Sequence, residues 1–194
     1  MPFKLDTILD LPRYVGRDTY QTILDDKSGY DDLLLSVESG TFFGIQGDGW
    51  YLVYNTLPFG WKISPFVYHS TGLVVSKFFR LIGIPCSLNI DDRHNGQIQI
   101  PPNQGAYANL ANLDEHNLTA AKSAIFLVAY FLIKLGYFLG LSKSVVMRRK
   151  IVPYLGFLCD SSREVLHLIP EKKEKFLELI AQTLTCSTVS VKSL

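Results

Sequence analysis

The sequence predicts an α+β domain in which short strands alternate with two long helices. β-favouring runs precede two pairs of neighbouring carboxylates, Asp25-Asp26 and Asp91-Asp92. Apolar residues at helical spacing predict one helix over 65–82 and a longer one over 114–139. The chain has 194 residues, of which 47% are hydrophobic, so it is long and apolar enough to bury one core.

Flanking signals justify the boundaries of the first long helix. Ser64 is a preferred N-cap, Pro65 suits the first helical position, and Gly83 marks the exit. In the first half of the chain, the other predicted elements are a short helix over 4–14 stopped by Pro12, a strand over 20–24, a hairpin of 41–45 and 50–54, and a strand over 84–92 with a return strand over 97–100. In the second half, they are strands over 143–147 and 152–158 joined by a basic turn at 148–150, a strand over 164–169 and a charged helix over 170–184.

Charge and cysteine content restrict the functional classes. A net charge of +1 gives no overall basic field, so any nucleic acid must meet local clusters such as 148–150 and 172–175. Taken alone, each cluster is better explained as an ordinary solvated face. The three cysteines, Cys86, Cys159 and Cys186, lack zinc-ligand spacing and favour a reducing compartment over a disulfide framework.

Targeting and membrane signals are also weak in this sequence. The first residues contain no apolar signal region, so we expect an intracellular protein of the cytoplasm or nucleus that is not secreted. The apolar run over 124–133 is shorter than the roughly 20 residues that span a bilayer. We therefore expect a soluble protein with no membrane partner.

The adjacent carboxylates of Asp91 and Asp92 are the local candidate for a cation site. Neighbouring strand residues face opposite ways, so the two side chains converge only if the backbone turns sharply beside them. Asp tolerates the left-handed conformations that tight turns require. An Asp-Asp pair on its own is more often simply solvated, so the motifs that accompany the pair must decide between the two interpretations.

Five segments follow one another along the chain, namely 25–30, 57–65, 89–92, 143–144 and 154–157. In this order they resemble the motifs of the reverse transcriptase palm. The first segment is similar to the family pattern Asp-x-Lys-Ser-x-Tyr, in which the first aspartate is the metal ligand. Phe59 stands where retroviral enzymes commonly carry Gln, which makes the chain more similar to a retrotransposon polymerase. The run 90–94 further resembles the DIRS-like retroelements.

This resemblance implies an α+β polymerase palm, with a small antiparallel sheet backed by the two long helices and with partial fingers. Residues 1–169 would form the partial fingers and the palm, and residues 170–194 would begin a thumb or connection helix. We expect the chain to be truncated at both ends and to belong to a longer retroelement polyprotein.

The activity implied by the resemblance is RNA-directed DNA synthesis, in which dNTPs extend a primer on an RNA or DNA template. Asp25, Asp91 and Asp92 would hold two Mg²⁺ ions, or Mn²⁺, about 4 Å apart. Carboxylate oxygens are the ligands that Mg²⁺ prefers, and without metal their mutual repulsion should raise at least one pKa. Lys143 would stabilise charge or donate a proton at the departing pyrophosphate, although a solvated loop lysine is nearly as good an interpretation.

Further roles follow from the same resemblance. Tyr30 would lie under the incoming sugar as a steric gate, Phe59 would pack beside it, and Gly60 would allow close approach of template or nucleotide. The basic clusters would contact phosphates, which position a nucleic acid without specifying its sequence. The implied primer grip consists of Tyr154, Leu155, Gly156 and Phe157.

Two residues depart from the family pattern. Asn89 replaces the usual aromatic, and Arg93 stands where many relatives have an apolar residue, but neither change removes a metal ligand. The alternative hypothesis is a catalytically inactive retroelement remnant that at most binds nucleic acid. An RNA-dependent RNA polymerase is disfavoured by the segment 57–60 and by the aromatic Tyr30.

Overall fold

The computed structural model describes residues 4–98 and 110–185 and confirms the α+β class. The strands are β1 (Gln21–Asp25), β2 (Gly44–Gly47), β3 (Trp50–Val53), β4 (Cys86–Asn89), β5 (Asp92–Gly96), β6 (Val145–Arg149), β7 (Ile151–Tyr154), β8 (Phe157–Asp160) and β9 (Val165–Leu168). The α-helices are α1 (Val37–Gly40), α2 (Ser64–Leu81), α3 (Leu110–Lys134) and α4 (Pro170–Thr185), and 3-10 helices cover Ile8–Arg13 and Gly29–Asp32.

The largest sheet has four antiparallel strands in the order β4-β5-β1-β6. In this sheet Asp25, the last residue of β1, lies opposite Asp92, the first residue of β5. Strands β2 and β3 form a separate hairpin, and β7, β8 and β9 form a three-stranded antiparallel sheet. The described strands therefore make three small sheets, and the four-stranded sheet carries both predicted carboxylate segments.

The four-stranded sheet lies between two hydrophobic cores. Leu24 of β1 packs on one side with residues of α2 and α3, and Ile23 packs on the other side with residues of β7 and β8. Because successive strand residues point to opposite faces, Asp26 is on the side of Leu24 and Asp25 is on the side of Ile23. The two neighbouring carboxylates of β1 thus enter different environments.

Helix α3 supplies much of the first core. Its segment Leu113–Lys134 is long and apolar enough to cross a membrane. However, Ala124, Val128 and Leu132 recur every four residues and are buried in the core shared with β1 and α2. In this fold α3 is a core helix that keeps part of its apolar surface exposed.

The predicted return strand over 97–100 is wrong. The chain reverses earlier, because Ile90 and Asp91 form a two-residue turn and Asp92 already begins β5. Gln97 and Ile98 are outside any strand, and positions 99 and 100 lie outside the described residues. Strand β5 was missed because its sequence is polar, although most of it is buried.

Three other boundaries differ from the predictions. Ser64 is the first residue of α2 rather than its N-cap, and its hydroxyl donates a hydrogen bond to the carbonyl oxygen of Pro58 at 2.7 Å. Pro12 lies inside a 3-10 helix instead of ending one. Helix α3 stops at Lys134, before Gly136, whose φ of +92° is the left-handed conformation that glycine adopts readily.

The C-terminal strands were predicted at nearly the right positions, but one of them was divided incorrectly. The predicted strand over 152–158 is a hairpin, in which Leu155 and Gly156 form the turn between β7 and β8. Both turn residues have positive φ, as a tight two-residue hairpin requires. The basic run at 148–150 is partly strand, since β6 extends to Arg149.

Candidate active site

A pocket of about 510 Å³ opens where the end of β1, the β4–β5 turn and the segment after α3 meet. It is lined by Asp25, Asp26, Lys27, Ser28, Gly29, Tyr30, Phe59, Tyr68, Ile90, Asp91, Gly140, Ser142 and Lys143. Five predicted site residues are therefore brought together, namely Asp25, Tyr30, Phe59, Asp91 and Lys143. Gly60, Asp92 and the predicted primer-grip residues are outside this lining.

Asp25 is held at the end of β1 by the segment that follows α3. Its backbone N–H donates to Ser144 Oγ at 3.0 Å, and its carbonyl oxygen accepts from the Gly140 N–H at 2.7 Å. A Cβ atom at Gly140 would overlap Asp25 Oδ2. Glycine at position 140 therefore leaves room for the carboxylate where it now lies, a feature that depends on tertiary packing and was missed from the sequence.

Asp91 is exposed in the turn between β4 and β5. The preceding residue, Ile90, has φ +56°, which is unusual and strained for a β-branched side chain. Its N–H donates to Nδ1 of the buried His69 on α2 at 3.3 Å. Burial lowers the pKa of His69, which favours the neutral ring that can accept this bond. His69 was also missed, because the contact joins positions distant in sequence.

Asp92 is half-buried opposite Asp25. Burial raises the pKa of Asp92, the charges of Asp91 and Asp25 raise it further, and Lys143 acts against them. The predicted repulsion among the three carboxylates therefore operates at Asp92. The exposed Lys143 is near enough to this group to oppose the repulsion.

The donor set of the three carboxylates is relevant to Mg²⁺. Among residues 4–98 and 110–185, no three Asp, Glu, His or Cys side chains form a cluster that could hold a metal ion. However, Asp25 and Asp91 line one pocket, and Asp92 is paired across the strands with Asp25. Mg²⁺ sites commonly use one or two carboxylates and complete the shell with water and phosphate. The residues present therefore fit Mg²⁺ by donor type.

Aromatic side chains form one wall of the pocket. The ring centroid of Tyr30 is 4.8 Å from that of Phe59 and 5.5 Å from that of Tyr68, which it meets edge to face. Phe59 is 68% exposed, and Tyr68 is buried behind the wall. Burial raises the pKa of Tyr30, and Asp91 raises it further, so Tyr30 lies within the field of that carboxylate. Gly60 has φ +87°, a conformation that disfavours other residues.

A buried ion pair supports the pocket from behind. Asp26 Oδ2 accepts a hydrogen bond from the Tyr68 hydroxyl at 2.8 Å and lies 3.7 Å from Arg93 Nη2. Burial raises the pKa of Asp26, while Arg93 and Tyr68 act to lower it. Asp26 is 4% exposed, whereas Asp25 is half-buried, which agrees with giving the ligand role to Asp25.

The predicted primer grip forms the β7–β8 hairpin turn. Tyr154 is buried in the second core, and its hydroxyl is 3.3 Å from Ser87 Oγ. Leu155 packs against the same core. The side chain of Lys172 covers Gly156, where a Cβ would overlap Nζ. The turn is therefore well supported, and its contact with a primer remains a prediction.

The basic clusters 148–150 and 172–175 differ in how much of their positive charge is exposed and how much is in ion pairs. Lys150 Nζ pairs with Asp114 at 2.9 Å and with Asp18 at 3.4 Å. Arg149 is exposed on β6, and the lysines of 172–175 are exposed on α4. The exposed residues are the better candidates for phosphate contacts.

Comparisons of the sequence with known proteins found no matching family model and no matching curated protein. Comparisons of the structure did find similar folds. The foamy viral protease-reverse transcriptase dRH in complex with double-stranded DNA aligns with a TM-score of 0.69 and 19% identity, over 100% of this chain and 29% of that chain.

Two related structures give the same result. The foamy viral protease-reverse transcriptase in complex with double-stranded DNA has a TM-score of 0.67 and 20% identity, over 99% of this chain and 34% of that chain. The same enzyme in complex with an RNA/DNA hybrid has a TM-score of 0.63 and 19% identity, over 100% of this chain and 22% of that chain. This chain thus spans about a third or less of those proteins, and it has a reverse-transcriptase-like fold.

Proposed function

We propose that this chain is the partial fingers and palm of a retrotransposon RNA-directed DNA polymerase, with residues 170–194 beginning a thumb or connection helix. The observation that carries this proposal is a single pocket that contains Asp25, Asp91 and the Tyr30–Phe59 pair, with Asp92 opposite Asp25. Carboxylates beside an aromatic wall suit a metal-dependent transfer of a nucleotide to a primer 3′-hydroxyl.

In this proposal the two strands set the positions of the ligands. Asp25 and Asp91 hold the divalent ions, and Asp92 is the auxiliary carboxylate. Held by these carboxylates, two Mg²⁺ ions would supply charge stabilisation for the transfer. Lys143 adds a positive charge at the pocket edge, where the pyrophosphate departs.

Tyr30 determines the sugar preference in this proposal. Its ring is fixed between Phe59 and Tyr68, so it cannot easily turn aside for an additional hydroxyl. A ribose 2′-hydroxyl would meet this ring, whereas deoxyribose leaves the space free. The chain should therefore prefer dNTPs.

A primed RNA or DNA template is the proposed partner. Similar folds have been solved with double-stranded DNA and with an RNA/DNA hybrid, which supports this choice. Exposed Arg149 and the lysines of α4 are suited to phosphate contacts. The hairpin 154–157 is the proposed primer grip, and the chain would act within a longer intracellular polyprotein.

Primer extension with Mg²⁺ or Mn²⁺ tests this function. Asp91→Asn should reduce the extension rate by about 1000-fold, since it removes a charged ligand from the ions that stabilise the transition state. Asp48→Asn is the matched control, because Asp48 is an exposed turn residue of the β2–β3 hairpin. Equal rates for the native chain and Asp91→Asn would contradict the proposal.

The absence of a three-ligand cluster from the described parts of the chain favours a second candidate, a silent remnant that only binds nucleic acid. This candidate predicts that the fluorescence anisotropy of a labelled primer–template rises when the chain binds it, while no metal-dependent extension of the primer occurs. Extension that is lost in Asp91→Asn would exclude it.

A further inference from the structure

The residue that follows Asp92 is one of the two departures from the reverse transcriptase pattern, and its partner follows Asp25. Arg93 replaces the usual apolar side chain, and its Nη2 lies 3.7 Å from Asp26 Oδ2. The two side chains are 0% and 1% exposed. A buried charge is strongly unfavourable without a partner, so each of these residues depends on the other.

The register of β1 and β5 explains why this pair is separate from the metal ligands. Asp92 lies opposite Asp25, and Arg93 lies opposite Leu24. Side chains alternate along a strand, so Asp25 and Asp92 are on one face and Asp26 and Arg93 are on the other. We call the face that carries Asp26 and Arg93 the support face.

Helix α2 holds both members of the pair on the support face. The Tyr68 hydroxyl donates to Asp26 Oδ2 at 2.8 Å, and Arg93 Nη1 donates to Ser76 Oγ at 2.7 Å. Positions 68 and 76 are two helical turns apart, so they lie on the same side of α2. We call these four residues the Asp26–Arg93 linkage.

The linkage also contacts the pocket. The Asp26 N–H donates to the carbonyl oxygen of Asp91 at 3.4 Å. Tyr68 packs edge to face on Tyr30, and its ring leaves no room for a Cβ at Gly29. Displacement of Asp26 or Tyr68 would therefore move groups on the pocket side.

We propose that the Asp26–Arg93 linkage positions the metal-binding carboxylates of β1 and β5. This inference rests on the proposed function. The ion pair connects the residue after Asp25 to the residue after Asp92, so it limits how far the two ligand-bearing segments can separate. Without the linkage all three carboxylates remain, but their spacing is no longer fixed and divalent ions bind more weakly.

Mn²⁺ affinity, measured by electron paramagnetic resonance of the free ion, tests the inference without requiring catalysis. Tyr68→Phe removes only one hydroxyl, and Asp26→Asn and Arg93→Met each remove one charge. Each should weaken Mn²⁺ binding by about 10-fold, as is usual when groups that orient metal ligands are changed. The double variant Asp26→Val with Arg93→Met removes the linkage without leaving an unpaired charge buried, so it should fold and still bind Mn²⁺ about 10-fold more weakly than the native chain.

Arg80→Met is the matched control for loss of a charged pair. Arg80 is also on α2; it pairs with Asp6 at 2.6 Å and donates to the carbonyl oxygen of Cys86 at the start of β4. It should lower thermal stability and leave the Mn²⁺ affinity unchanged. Circular dichroism confirms folding of each variant, and the isosteric Tyr68→Phe keeps the test valid if a charge variant does not fold.

The outcomes separate the two proposals. If the native chain binds Mn²⁺ and Asp91→Asn does not, but Tyr68→Phe, Asp26→Asn and Arg93→Met match the native affinity, the linkage inference is overturned and the proposed function stands. If Arg80→Met weakens binding as much as these variants do, the linkage has no special role and the inference is again overturned. If the native chain binds no Mn²⁺, both proposals are overturned.

Discussion

The four-stranded sheet and the β2–β3 hairpin show opposite relations between residue type and burial. In the sheet, the polar side chains of Gln21, His94 and Asn95 are 0% exposed. In the hairpin, Trp50 and Tyr51 are 70% and 80% exposed. Both regions are strands by local preference, but only the sheet has a core on each side. In these two regions, burial thus follows position between layers more closely than residue hydrophobicity.

Gln21 and His94 are buried with a hydrogen-bond partner, whereas the side-chain amide of Asn95 is buried without one in the described part of the chain. Gln21 Nε2 donates to the carbonyl oxygen of Lys150 at 3.0 Å, and Gln21 Oε1 is 2.8 Å from His94 Nε2. Buried polar groups that keep such partners avoid most of the cost of leaving water. The apolar residues of the hairpin need no partner to remain exposed, and they leave an apolar surface.

The largest expected difference between the two regions concerns stability. Leu88→Ala in β4 should lower the free energy of unfolding by about 2–5 kcal/mol, because Leu88 is 0% exposed and a cavity would remain. Leu52→Ala in β3 should cost less than about 0.5 kcal/mol, since Leu52 is 54% exposed. Urea unfolding measures both. Similar losses would show that the hairpin is buried in solution.

Two matched glycine substitutions, one beside the four-stranded sheet and one in the hairpin, should differ in their effect on the rate of primer extension. Gly140→Ala places a methyl group against Asp25 Oδ2, and a displaced ligand should slow primer extension by about 100-fold. Gly47→Ala in β2 meets no atom within 4 Å and should leave the rate unchanged. Native-like extension by Gly140→Ala would remove the steric argument for Asp25.

The buried polar groups of the sheet should make stability sensitive to acid. Burial lowers the pKa of His94 to about 3, whereas an unfolded histidine titrates near 6.5. The unfolded chain therefore binds a proton first as the pH falls, and stability decreases by about 1.4 kcal/mol per pH unit between these values. His69 acts in the same direction, while Asp26 and Asp92, whose pKa values are raised, act in the opposite direction.

Urea unfolding from pH 7 to pH 4 without divalent ions measures this dependence. His94→Gln keeps a neutral donor for Gln21 and should flatten the profile. If the free energy of unfolding of His94→Gln falls as steeply with decreasing pH as that of the native chain, groups other than His94 cause the acid sensitivity.

The smallest expected effect concerns nucleotide selectivity. Tyr30→Val should reduce the preference for dNTPs over ribonucleotides by about 10-fold, because the ring beside the sugar is removed. Tyr51→Val, at an 80% exposed position of the hairpin, should leave the preference unchanged. The ratio of kcat/KM for dATP and ATP measures the change. An unaltered ratio in Tyr30→Val would contradict the gate role.

Sequence motifs predicted the residues of the pocket better than they predicted its support. Asp25, Tyr30, Phe59, Asp91 and Lys143 were expected together, and they line one pocket. These residues could be predicted because they lie at strand ends or in turns and because their motifs follow a known order. By contrast, nothing local distinguishes a glycine that clears space for a distant carboxylate or a histidine that binds a turn 21 residues away.

The same limit explains the error at β5. Its residues Asp92–Gly96 are polar, so an alternating pattern indicated a later strand. Their burial depends on α2, β1 and the three-stranded sheet, and the sequence order does not show this packing.

The sequence by itself determined the α+β class, the approximate positions of the long helices and the carboxylates at the strand ends, because these follow from periodicity and turn chemistry. The tertiary structure decided the strand register that sets Asp25 against Asp92 and the pairing of Asp26 with Arg93. It also decided which polar groups are buried. These properties depend on contacts between distant segments, and local preferences do not encode such contacts.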